Sequence, residues 1–111
     1  MRRVVVTGIG IVSSIGSNVQ EVNTSLHEAK PGIVSAQDYA RLGFRCQVHG
    51  APTIDLDASI DRRVRRCMGD GAAWNWSAMQ QAITDAGLDE SDVKNDRTGL
   101  IMGSGGPSTR T

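Results

Sequence analysis

Aromatic side chains are scarce in this 111-residue chain: one Phe, one Tyr and two Trp. Large rings supply much of the apolar area that a core buries, so core material is thin for a domain standing alone. Cysteine is nearly absent, with Cys46 and Cys67 alone, which excludes the dense disulfide framework of a small secreted scaffold and makes a reducing cytoplasm the expected setting. Neither sign of charge is in excess, because twelve Lys and Arg balance twelve Asp and Glu for a formal net charge of zero. A global pull toward nucleic acid or an anionic membrane is thereby excluded, and any electrostatic partner must be read from local clusters. Long apolar runs are missing as well: Val4–Val12 is nine residues, is broken by Thr7, Gly8 and Gly10, and has no small-residue cleavage site. Neither a membrane span nor a secretory leader fits it. There is no internal repeat and no low-complexity tract, and the length allows one domain at most.

What is present points to α/β layering. Val4, Val5, Val6, Ile9, Ile11 and Val12 form a near-continuous β-branched run, the pattern of a strand covered on both faces. Ser17 offers an N-cap with Gln20 three residues on, and Val19, Val22, Leu26 and Ala29 recur at helical spacing until Pro31-Gly32. A helix over roughly 18–29 is predicted. From Ile33 to Asp57 turn formers recur and periodicity is weak, so an irregular excursion is expected, with "FRCQVHGA" alternating like a short strand. Ser59 or Asp61 can cap "DRRVRRCM", and Ala72, Trp76, Met79, Ile83 and Ala86 then make an apolar stripe. Gly87-Leu88 suits a left-handed C-cap. "LDESDVKNDR" reads as a polar connection, and Thr98–Met102 as a second buried strand. The order is strand, helix, excursion, helix, strand, most economically two parallel neighbours of one sheet. "TGLIMGSGGPSTRT" enters a Gly/Ser turn and stops before any further element, so the chain is expected to be incomplete.

Four stretches invite chemistry. Gly8 and Gly10 imitate a dinucleotide fingerprint, but its third small residue falls on Ser13, and no acidic residue closes an obvious second strand about 20 positions on. The short-chain variant needs glycines at Val12 and Ser14 and fails too. A strand that continues past Gly10 and turns at "SSIGSN" fits better. Arg62, Arg63, Arg65 and Arg66 place four guanidinium groups within five residues. On a helix Arg62 and Arg66 share one face, leaving Val64, Cys67 and Met68 to face inward. Such a run is either a solvated face or a surface for an acidic or phosphorylated partner; no interleaved aromatics favour nucleic acid. Cys46 and His49 have C-x-x-H spacing, yet a zinc site needs about four ligands and only Cys67 and His27 remain, so no metal is expected. The arginines around Cys67 give a physical case for a reactive thiol, set against a buried apolar role, which its place on the inward face favours. Cys46 is left unassigned. "GSGG", Gly103–Gly106, follows the second predicted strand and is read equally as a plain turn or as a site permitting close approach.

Together, "VVVTGIGIVSSIGSN", "IDRRVRRCMGDGAAWNWSAMQQAITDAGL" and "TGLIMGSGGPSTRT" resemble the β-ketoacyl-acyl carrier protein synthases, most closely the synthase I type, over essentially all 111 residues. The resemblance implies residues 1–111 as the N-terminal part of a thiolase-like layered domain, an incomplete half of a fold that normally forms a homodimer. It implies an acyltransferase that catalyses decarboxylative Claisen condensation in fatty acid biosynthesis, with a cysteine nucleophile and two histidines. Cys46, Cys67, His27 and His49 match none of those groups, so no catalytic residue is expected in this chain, no cofactor, and no condensing activity from these residues alone. The basic helix resembles the docking surface for acyl carrier protein, making Arg62, Arg63 and Arg66 candidates for its carboxylates and for the phosphopantetheine phosphate that carries the acyl or malonyl group. Arg65 has no assigned direction. Gly106 matches a position bordering the acyl pocket, and Pro107 departs from the glycine-rich versions. A Rossmann-like nucleotide-binding module and a non-enzymatic module for acidic partners stand as rival readings.

Overall fold

The computed structural model describes residues 1–106; residues 107–111, and with them the departure at Pro107, lie outside the described residues. The chain forms two compact units, one of Ile11–Ile54 and one of Met1–Gly10 with the residues from Asp55 onward.

In the first unit the chain turns at Ser13–Gly16, where Ser13 N–H donates to the Gly16 carbonyl at 2.9 Å. The Ser13 hydroxyl oxygen also accepts from Ile15 N–H at 3.3 Å, so the residue that spoils the fingerprint serves the turn. Helix α1 then spans Val19–His27. Its cap is Asn18 rather than Ser17: Asn18 Oδ1 accepts from Glu21 N–H at 2.9 Å, and Glu21 reaches back to Ser17 N–H at 2.7 Å. The capping logic holds one residue later than expected, because Asn and Asp accept at this position as well as Ser does. Ser25 Oγ donates to the Ile15 carbonyl at 2.7 Å and ties α1 to the turn. The helix ends in a Schellman motif in which Lys30 N–H reaches the Ser25 carbonyl at 2.8 Å, with Ala29 in the left-handed position at φ 52°.

The expected excursion holds the sheet. Strand β1, Ile33–Ser35, and strand β2, Val48–Gly50, pair antiparallel with Val34 opposite His49. Between them lies the short helix α2, Gln37–Arg41. Tyr39 meets Phe44 and His49 edge-on, with ring centroids 5.6 and 5.4 Å apart, and Ala36 is buried. The alternation in "FRCQVHGA" thus marks a real strand, and what periodicity missed is its partner, three residues long.

In the second unit three one-turn helices, α3 (Leu56–Ser59), α4 (Arg62–Arg65) and α6 (Glu90–Val93), flank the long α5 (Asp70–Asp85). Val4–Val12 and Thr98–Met102 are not strands, and the parallel pair expected from them is not formed. Most of their apolar side chains lie open, Val4 at 91% and Ile101 at 95% exposure, while Ile11 and Val12 are half-buried. Among the described residues neither segment takes part in a ladder. Instead, the N-terminal segment lies against α5. Ile9 N–H donates to Asp85 Oδ2 at 2.9 Å. A Cβ on Gly8 would sit 2.2 Å from the Ala82 carbonyl oxygen, and one on Gly10 would sit 1.7 Å from that of Ala78.

That contact redraws the apolar face of α5. The expected stripe leaves Ala72 exposed, and the most buried residues are Ala73 and Ser77, with Ala78, Ala82 and Ala86 turned to the glycines. Bulk had selected the stripe, whereas close backbone approach selects small residues. The C-terminus is as expected: Gly87 has φ +67°, and Leu88 N–H reaches the Ile83 carbonyl at 3.1 Å. In the polar connection that follows, Asp89 and Asp92 form a capping box on α6. The Ser91 hydroxyl, then the Asp92 and Ser91 backbone N–H groups, hold the Asp89 carboxyl below the usual carboxylate range. No described helix is long and apolar enough to cross a membrane.

Candidate functional site

The basic run sits on a corner made by three helices. Asp55 opens it, its Oδ1 accepting from Asp57 and Ala58 N–H at 3.1 Å each. Ile60, 3% exposed, anchors the link between α3 and α4. Burying such a side chain stabilises by about 1.5–3 kcal/mol, only a part of what ordering two helices of four residues each costs. Asp61 then caps α4, accepting from Arg63 N–H at 2.8 Å. A single turn this short does not persist on its own.

Arg65 supplies the tertiary tie. Its Nη2 lies 2.7 Å from Asp70 Oδ1 at the start of α5, and its Nη1 donates to the Met68 carbonyl at 2.7 Å. Nε sits 3.3 Å from Asp57 Oδ1, an ion pair outside hydrogen-bond geometry. The Arg65 side chain is 22% exposed, while Arg62, Arg63 and Arg66 are exposed and have no ion-pair partner among the described residues. Asp57, Arg62, Arg65, Arg66 and Met68 line one open groove. Three guanidinium groups therefore face solvent and the fourth faces inward, already neutralised.

This assigns Arg65 a direction and corrects the neighbouring expectation. Val64 and Cys67, placed inward by helical spacing, are exposed. One turn of helix offers only one inward position, and Arg65 occupies it. Cys67 Sγ lies 3.9 Å from the Arg63 carbonyl oxygen, so the thiol is neither a buried apolar group nor set at the start of a buried helix. Cys46, in the other unit, is exposed with its Sγ 3.5 Å from the Val48 carbonyl. His49, its C-x-x-H partner, is engaged by the Tyr39 ring, and among the described residues no group of three His, Cys, Asp or Glu is placed to hold a metal.

The glycines of the two glycine-bearing stretches behave differently. Gly8 and Gly10 are covered by the backbone of α5, which occupies the space a pyrophosphate would need. At the other end, Ser104 Oγ donates to the Gly106 carbonyl at 2.7 Å. No described atom lies within 4 Å of a Cβ added at Gly103, Gly105 or Gly106. Arg62, Arg63 and Arg66 are thus brought together on one corner; Gly106 is not part of it.

Residues 1–111 match the family model for the β-ketoacyl synthase N-terminal domain. The chain is 49% identical to 3-oxoacyl-[acyl-carrier-protein] synthase 1 of Escherichia coli (strain K12) over 111 residues, covering 99% of this chain and 27% of that protein. It is 48% identical to the Haemophilus influenzae protein of the same name over 105 residues, covering 95% and 26%. Against 3-oxoacyl-[acyl-carrier-protein] synthase 2 of Synechocystis sp. the identity is 32% over 106 residues, covering 94% and 25%. The chain spans about a quarter of the length of these curated relatives.

Proposed function

Given that the chain belongs to the β-ketoacyl synthase family through its N-terminal domain, we propose that it forms the N-terminal part of a thiolase-like layered domain whose task here is carrier-protein docking. The whole enzyme is a 3-oxoacyl-acyl carrier protein synthase working as a cytoplasmic homodimer. Its cysteine thiolate attacks the acyl thioester and releases the carrier thiol. Malonyl thioester then loses carbon dioxide, and the resulting carbanion attacks the enzyme-bound acyl carbonyl, expelling the thiolate and forming the 3-oxoacyl product. The cysteine and two histidines lie outside these residues. The open flanks at Val4–Val6 and Leu100–Met102 accord with strands whose neighbours belong to the rest of the domain.

The observation that carries the docking role is the outward trio of Arg62, Arg63 and Arg66, separated from the neutralised Arg65. Guanidinium groups bind carboxylate and phosphate bidentately, the two anions an acyl carrier protein and its phosphopantetheine present. Gly106 borders the acyl pocket in this reading, where a larger side chain shortens the chain accepted.

Reversing Arg62, Arg63 and Arg66 to Glu in the full-length chain is expected to weaken carrier binding about a hundredfold and to abolish most of its salt dependence. Calorimetric titration with acyl carrier protein reads this, and turnover of a carrier-free acyl thioester is retained. Unchanged carrier affinity would sink the docking assignment.

A further inference from the structure

Resting on the docking reading, we propose that Arg65 is a positioning residue for the carrier site: it touches no substrate, and it sets the conformation from which Arg62, Arg63 and Arg66 present their charges. One guanidinium joins all three helices of the corner, through Asp57 on α3, Asp70 on α5 and the Met68 carbonyl that follows α4. The planar fork of arginine suits this role: its two Nη groups donate in divergent directions to the Met68 carbonyl and the Asp70 carboxylate, and Nε holds Asp57 by charge alone. Helix α4 has only four residues and no fully buried side chain of its own, so its geometry depends on this tie. The clamp has an electrostatic consequence as well. Asp57 and Asp70 lie beside the patch, and Arg65 offsets one of their two negative charges where an acidic partner would otherwise meet carboxylates.

A count of charges and the clamp predict opposite results at Asp70. Removing a carboxylate beside a basic patch should tighten binding to an acidic carrier if only charge matters. If Arg65 positions α4, Asp70→Ala loosens the corner and weakens binding instead, by about threefold on the scale of partly exposed ion pairs. Arg65→Met, which keeps the apolar stem, should raise the KM for carrier-borne substrate about fivefold. With a carrier-free acyl thioester its kcat and KM stay unchanged, as a general loss of structure would not allow. Amide hydrogen exchange at residues 64–68 of the full-length chain should accelerate about tenfold in both variants.

Tighter carrier binding by Asp70→Ala would overturn the proposal. So would weaker binding by Arg65→Met with unchanged exchange, which would make Arg65 a direct contact, or faster exchange with unchanged binding. Failure of the docking reading looks different: the triple charge reversal then leaves carrier affinity unchanged, and the positioning role falls with it whatever the exchange rates are.

Discussion

Two glycine-bearing stretches, Gly8–Gly10 and Gly103–Gly106, look alike in the sequence, each following apolar residues directly or within two positions. Their surroundings are opposite. At the first, the carbonyls of Ala78 and Ala82 stand 1.7 and 2.2 Å from where a Cβ would be. At the second, nothing described stands within 4 Å. The glycines at the amino end are required by this chain's own helix. Any requirement at the carboxyl end must come from a neighbour outside the described residues. Small residues therefore carry two different meanings here, and substitution separates them.

The largest effect belongs to the crowded stretch. Gly10→Ala in the full-length chain is expected to cost about 3 kcal/mol, at the upper end for overpacking, because the obstacle is helix backbone rather than a side chain that can swing away. Urea unfolding measures it, and a loss below about 0.5 kcal/mol would mean that α5 does not press on Gly10 as drawn. A smaller effect of opposite sign is expected where the chain has alanine and the backbone favours glycine. Ala29 closes α1 at φ 52°. Ala29→Gly should stabilise by about 0.5–1 kcal/mol, the left-handed penalty less the extra entropy of glycine in the unfolded chain. An unchanged urea midpoint would break the rule that local backbone geometry decides which small residue belongs at each position.

Much of this was legible in the sequence, because it depends on short-range chemistry. Helices α1 and α5, the Gly87 cap and the excursion follow from spacing and capping, which neighbouring residues settle among themselves. The Ser17-to-Asn18 shift is the scale of error to expect when adjacent residues can both cap. Strands were less legible: Val4–Val12 and Thr98–Met102 carry the right side chains, but a strand is a property of two segments, and among the described residues neither segment is paired. The basic corner was half legible. Clustering singled out Arg62, Arg63, Arg65 and Arg66, while the inward turn of Arg65 depends on Asp57 and Asp70, five to eight residues away, at no periodic spacing. Extending the charge count to nearby carboxylates was the signal that would have found it. It would also have exposed Cys67, since the inward place on a one-turn helix was already taken.

The open glycine stretch gives the smallest effect on stability and the sharpest contrast with Gly10. Gly106→Phe adds a large side chain where a Cβ on Gly106 meets no described atom, so unfolding free energy in the full-length chain should change by no more than about 0.5 kcal/mol. If Gly106 borders the acyl pocket, the added ring takes volume from the bound chain instead, and each lost methylene contact is worth about 1–3 kcal/mol of discrimination. The expected result is an optimum moved to shorter acyl thioesters, with the shortest turned over as before. Competition between short and long acyl donors measures it directly. A large loss of stability would put Gly106 in the same class as Gly10, crowded by this protein's own core. An unchanged chain-length profile with unchanged stability would instead leave the second glycine stretch as a plain turn.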